Sequence, residues 1–176
     1  MTRSTLTPLF ADHPERISVY GSSVYMDERW VSGTYVVAGL FFKSLRQLES
    51  SLIEAEASSH FQVLRERKKR RWPRGICGYY AIPVYVCEIE SPEVVRWVQN
   101  RPKYRYAMWH EPVVYFPESN EVAMNANWGV YGLFFRHYLA EIIFSGLCRV
   151  TEEAGHSDFP TVNGQVVGFT IRPAAG

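Results

Sequence analysis

Cysteine is scarce in this 176-residue chain: Cys77, Cys87 and Cys148 are the only three, and no two form a C-x-x-C pair. An odd, scattered set argues against a disulfide scaffold and a zinc site of ordinary spacing, and it fits a reducing compartment. All three read as core packing. Phosphate-binding and nucleophile signatures are missing as well: there is no G-x-x-x-x-G-K-[ST], no G-x-G-x-x-G and no G-x-S-x-G. Those absences argue against a P-loop nucleotidase and an α/β-hydrolase. Met1 to Phe10 lack the apolar run of a secretory leader, so a cytoplasmic protein is expected. A long uncharged apolar run is also absent. The nearest approach, 130–147, carries Arg136 and Glu141 in its middle, and each costs roughly 2.5–3.5 kcal/mol at a bilayer centre. It is expected to be a buried helix, and no membrane is expected as a partner.

The residues that are present suit a folded globule. Hydrophobic residues make up 47% and charged residues 21%, which argues against disorder, and the length is that of one domain. Residues 1–16, interrupted by Pro8 and Pro14, read as an N-terminal arm, and 17–176 as a single domain. Ile17–Met26 and Thr34–Phe42 are rich in β-formers and are expected to be strands, with Asp27–Gly33 as the hairpin connection. Phe41, Leu45, Leu48, Leu52 and Ala55 repeat at helical spacing and predict a helix over 43–71, ended by Pro73 and Gly75. Tyr79–Ile89 is a third strand, in which Pro83 points to an edge or a bulge. Ser91 and Pro92 open a short helix reaching about Gln99. Tyr104–Phe116 supplies one or two strands, Asn127 caps a long helix to Glu153, and Val162–Ile171 is the last strand. The expected fold is α+β: a single mixed sheet, in the order β-β-α-β-α-β-α-β, with two long helices packed on it.

The densest chemical feature is the run RERKKRRWPR over 65–74. Arg65, Arg67, Lys68, Lys69, Arg70, Arg71 and Arg74 stand against one acid, Glu66, so the segment carries +6 in a chain of net +1, and the remainder carries −5. Segregated cations suit a polyanion, because those that replace condensed counterions on phosphates release them. Trp72 lies within the run, where it can stack on an exposed base. Cations at a helix C-terminus also answer the macrodipole. Nucleic acid, an acidic protein surface and a merely solvated helix end therefore all remain open. A second aromatic set, Trp97, Tyr104, Tyr106, Trp109, Tyr115 and Phe116, is interleaved with Lys103 and Arg105. It reads either as a single-strand-binding sheet face or as core. His137 and Glu141 share a helix face but lack the second His of a zinc helix, and read as a polar pair.

Val24-Tyr25-Met26-Asp27-Glu28, followed by a hydrophobic strand and an amphipathic helix, resembles over residues 24–60 the opening of an uncharacterised RNase H-like family. Its members begin with a strand ending Tyr-x-Asp-Glu-Ser. The resemblance implies a divalent metal held by Asp27, with Glu28 beside it, and phosphodiester cleavage. Arg29 stands where that family has Ser, and Trp30 where it has Gly. The later Asp-Ser and Gln-x-x-Asp stations are not visible, and only Glu88 and Asp158 are loosely placed to complete a carboxylate set. Outside that resemblance no cofactor is expected.

Three functions follow as expectations. The leading one is a non-enzymatic module that contacts nucleic acid through the basic helix end, within a larger assembly. The first alternative is an inhibitor or immunity-type protein that binds a partner through an aromatic-rich surface. The second is the RNase H-like metal-dependent nuclease.

Overall fold

The computed structural model describes residues 17–19, 22–31, 33–67, 77–100, 103–105, 108–125, 129–156, 158 and 160–164. A hairpin begins the sheet. Strand β2 (Ser22–Val31) pairs antiparallel with β3 (Thr34–Leu45), from Ser23 opposite Phe42 to Val31 opposite Thr34. The connection is therefore only positions 32–33, with Gly33 at φ 79°, a value that glycine adopts without a Cβ penalty. The expected polar loop Asp27–Gly33 is mostly strand. Its polar side chains are paired rather than marking a turn, Asp27 with Arg29 along the strand and Glu28 with Tyr35 of the next one. A short edge strand, β1 (Ile17–Val19), pairs with the start of β2.

β3 also extends past its expected end, through Lys43 to Leu45, and helix α1 begins only at Ser50 and runs to Arg67. The spacing between Phe41 and Leu45 is four, which serves a strand of period two as well as a helix. The helical stripe read from sequence had merged the two elements. Residues 68–71, expected to continue that helix, lie outside the described residues.

The centre of the sheet is the parallel ladder of β3 with β4 (Cys77–Cys87), eleven residues in unbroken register from Tyr35 opposite Cys77 to Leu45 opposite Cys87. This position corrects the expectation for Pro83, which sits in a central strand. On its other side β4 pairs first with β6 (Met108–His110) and then with β7 (Val113–Phe116), at the same register offset. β6 and β7 are thus one strand interrupted at Glu111 and Pro112. The Glu111 amide donates to the Ala81 carbonyl at 2.9 Å, so the odd-numbered residues of β4 direct their backbone groups to this side. The donor that Pro83 lacks falls in the interruption, opposite Pro112, and the β3 ladder is untouched.

Helix α2 (Pro92–Asn100) follows β4, with Ser91 Oγ accepting from the Val94 amide at 3.5 Å as its N-cap. A two-strand finger, β5 (Lys103–Arg105) against β6, sets Tyr104 opposite Trp109, so these two positions share a side of the sheet. β7 turns through Asn120, at φ 52°, into β8 (Glu121–Met124). Helix α3 (Gly129–Glu153) leads to β9 (Thr161–Val162) beside β8. Asn127 and most of the expected last strand lie outside the described residues.

The result is an α+β fold with one mixed sheet, in the order β1-β2-β3-β4-β7-β8-β9 and with β5 and β6 off that path. Alternation along the strands divides the core. Val36, Ala38, Leu40, Tyr80, Ile82 and Val84 pack with Leu139, Ile142, Ile143 and Leu147 of α3. Tyr35, Val37, Phe41, Tyr79 and Ala81 pack with Val63 and Leu64 of α1 on the opposite face. Tyr85, Cys87, Val114 and Phe116 meet Ile53 together with Val94 and Val98 of α2. Cys77 and Cys87 are buried in these layers and Cys148 is half-buried. No helix among the described residues is long and apolar enough to cross a membrane.

Candidate nucleic-acid interface

α1 runs antiparallel to β3 and β4 and ends over the start of those strands. Leu64 sits over Gly39, where a Cβ would come within 2.6 Å of its Cδ2. Three residues later the helix ends at Arg67, about 4.5 Å further on. The chain re-enters the sheet at Cys77, opposite Tyr35. The basic run therefore bridges the helix end and the first residues of β4. Of its members, Arg65 is exposed and donates from Nη2 to Met108 Sδ at 3.0 Å. Register sets Arg105 opposite that same Met108, so a second basic position borders the helix end. Arg67 is the last helical residue; Lys68, Lys69, Arg70, Arg71, Trp72 and Arg74 lie outside the described residues.

The same end of the sheet carries an aromatic pair that sequence reading passed over. Trp30, 50% exposed, stands opposite Tyr35 across the β2–β3 hairpin, with ring centroids 5.6 Å apart at 62°. Tyr35 is buried and donates from its hydroxyl to Glu28 Oε2 at 2.5 Å. The legible signal was alternation: Met26, Glu28 and Trp30 share one side of β2, which is the side of α1. The described members of the second aromatic set are buried or half-buried. Tyr115 and Phe116 are buried, Trp97 packs from α2 against the core beneath that helix, and Trp109 stacks on Tyr80 with planes 4° apart and centroids at 4.4 Å, while Tyr106 and the Tyr104 side chain lie outside the described residues.

Asp27 and Glu28, adjacent in β2, point to opposite faces of the sheet and do not converge. Asp27 faces α3. Its Oδ2 accepts from Arg29 Nε at 2.7 Å and from the Tyr138 hydroxyl at 2.8 Å. Arg29 also lies 4.8 Å from the Tyr138 ring centre and 3.5 Å from Glu141. Burial opposes the Arg29 charge, but the hydrogen bond and charge of Asp27 outweigh it and raise its pKa. Burial, then Asp27, push the Tyr138 phenol far above its ordinary value. Glu141 thus meets Arg29 rather than serving only its helix neighbour His137. Glu88 lies past the end of β4, eight residues from Tyr80, which is level with Asp27 through Ala38. At about 3.3 Å per residue that places it some 25 Å away. Asp158 is exposed and its carbonyl accepts from Asn120 at 3.4 Å. Among the described residues no three His, Cys, Asp or Glu side chains group as a metal site.

A polar layer under α1 was also not foreseen. Lys43 of β3 donates to Glu56 of α1, and the Tyr85 hydroxyl donates to the other Glu56 oxygen at 3.0 Å. One turn on, the His60 ring packs tilted by 33° against Phe41 with ring centres 4.2 Å apart, and burial lowers its pKa to about 4. Burial raises the Glu111 carboxyl to about 7 and carries the Tyr85 phenol far above its usual range. Glu56, His60 and Leu64 lie at four-residue intervals, the helical spacing that marks one face.

Comparison with protein-family models, with characterised proteins and with solved structures gave no match.

Proposed function

We propose that the protein is a non-enzymatic module that contacts nucleic acid through the basic end of α1, within a larger assembly. One observation carries the reading: the chain's densest run of cations spans the link between the end of α1 and the start of β4, beside exposed Arg65 and the register position of Arg105. Phosphates attract such a cluster through counterion release, with about 0.7–0.9 in log–log salt slope for each phosphate contact.

The test is binding of a fluorescently labelled oligonucleotide across salt concentrations. With four contacts, a fourfold rise in salt weakens binding by about 50- to 150-fold. Changing Lys68, Lys69, Arg70 and Arg71 together to Gln is expected to flatten the slope, with a melting temperature near that of the parent showing that the fold is kept. A salt slope unchanged by the fourfold substitution removes this reading in favour of an acidic protein partner.

A further inference from the structure

We propose that Glu111 anchors a binding site for a small organic ammonium ion on the α3 side of the sheet, with Trp109 beside it. The site is separate from the basic end of α1, so the proposal stands or falls without the nucleic-acid reading.

Strand alternation fixes which way Glu111 faces. His110 meets His60 of α1, whereas Trp109, Val113 and Tyr115 belong to the core under α3. The Glu111 amide continues the ladder to Ala81, so Glu111 shares the side of Trp109 and Val113. By the same register it stands level with Ile82, which is fully buried.

The carboxyl is unanswered there. Asp27 accepts from Arg29 and Tyr138, Glu28 accepts from Tyr35, and Glu56 accepts from Lys43 and Tyr85. Among the described residues Glu111 alone is drawn into the core with no donor and no cation against its carboxyl, and burial by itself pushes that group up to about 7. An apolar side chain at this position would avoid the desolvation cost. Groups held in that condition mark places where a ligand supplies the missing charge.

The surroundings select the ligand. Trp109 lies flat on Tyr80, and Phe135 of α3 is tilted toward both, 5.6 Å from Tyr80 and 6.2 Å from Trp109 between ring centres. Aromatic rings attract an organic cation, indole most strongly. Tyr80, Ile82, Val113 and Phe135 are buried, while Trp109 and Glu111 are half-buried. Water therefore reaches this part of the sheet at the indole and the carboxyl, an opening two side chains wide that suits a small ion and not a protein surface. A divalent metal needs several oxygen ligands, and no second carboxylate joins Glu111 among the described residues. An ammonium ion needs one carboxylate and an aromatic wall. The titratable groups nearest in register on this side are the phenols Tyr80 and Tyr115, both neutral near pH 7, and α3 presents Phe135; His110 faces the opposite side.

The experiment follows the Glu111 carboxyl carbon by NMR against pH in the full chain, in n-butylammonium chloride and in sodium chloride of equal ionic strength. The amine is expected to lower the Glu111 titration midpoint from its value in sodium chloride and to shift the Trp109 indole signal. The ionised fraction of a group titrating near pH 7 rises from about one-tenth at pH 6 to about nine-tenths at pH 8, while the amine stays charged throughout, so binding tightens about tenfold between them. Glu111→Gln, equal in size, should weaken binding by about 10- to 150-fold, the equivalent of one charge-assisted hydrogen bond, and remove the pH dependence. Trp109→Phe keeps a ring and should weaken binding by about 2- to 5-fold. Melting temperatures confirm that each variant folds. A Glu111 midpoint that the amine does not move in the parent protein, or equal affinity in the parent and Glu111→Gln, overturns the proposal.

Discussion

His60 Nδ1 and His110 Nε2 lie 3.3 Å apart, joining α1 to β6 across fifty residues of chain. Their ring centres are 5.6 Å apart and the planes 17° from parallel. The excess of the centre separation over the nitrogen separation is the width of one ring, so the nitrogens meet end to end. One nitrogen donates and the other accepts. A further proton on the accepting nitrogen would set two N–H groups against each other inside the core. The two nitrogens face each other directly, as a donor and an acceptor must.

That pair sits in a protein with two opposed pH dependences. Burial lowers the His60 pKa to about 4 and raises that of Glu111 to about 7. Between about pH 4 and 6.5 the unfolded chain holds the His60 proton and the folded chain does not, so stability rises with pH. Between about pH 4.5 and 7 the folded chain keeps the Glu111 proton that the unfolded chain has lost, so stability falls with pH. The two terms overlap from about pH 4.5 to 6.5 and are of similar size, about 2–3 kcal/mol each at roughly 1.36 kcal/mol per pKa unit. Thermal melts of the parent should be nearly flat over that window. Glu111→Gln should lose stability on acidification, and His60→Gln should lose it as pH rises. Parallel profiles for the two variants would show that the terms are not these.

Gly39 marks a close approach of α1 to the sheet. A methyl group there would press on Leu64, which is fully buried. Gly39→Ala is expected to cost about 1–2 kcal/mol through overpacking. Trimming Leu64 to Val should make the same change cheaper, so the double variant loses less than the two single variants combined. Urea midpoints measured at unchanged slope settle the cycle, and a Gly39→Ala protein as stable as the parent denies the contact.

Tyr138 ties α3 to strand β2 through Asp27. Tyr138→Phe removes a hydrogen bond to a charged group and is expected to cost about 1–2 kcal/mol. Asp27→Asn combined with Tyr138→Phe should show coupling of the two sites. Independent, additive losses would mean that the hydroxyl and the carboxylate contribute nothing to each other.

Much of the fold is legible in the chain itself. Val36 to Phe41 is apolar at every position except Gly39, as a strand covered on both faces must be. Ser91-Pro92 announces a helix start by its own chemistry. The segment 130–147 reads as a buried helix because its two charges forbid a bilayer. What misled was local ambiguity. Pro83 is an edge signal in isolation, and only a neighbouring strand broken at Pro112 makes it acceptable in the centre. Asp27 to Arg29 has loop composition, and only α3 supplies the Tyr138 and Glu141 that turn those polar side chains into a satisfied strand face.

The site divides in the same way. The sequence by itself determined the basic run over 65–74, because charge density is a property of neighbours in the chain. It also determined the apolar periodicity from which the layers follow. Tertiary structure alone decided which residues meet. It placed Trp30 and Tyr35 beside the point where that run joins β4, sent Asp27 and Glu28 to opposite faces, and brought His60 to His110. Each of these depends on strand register and on the position of a helix over the sheet. Register is set by the summed burial of whole strands, so no local motif records it.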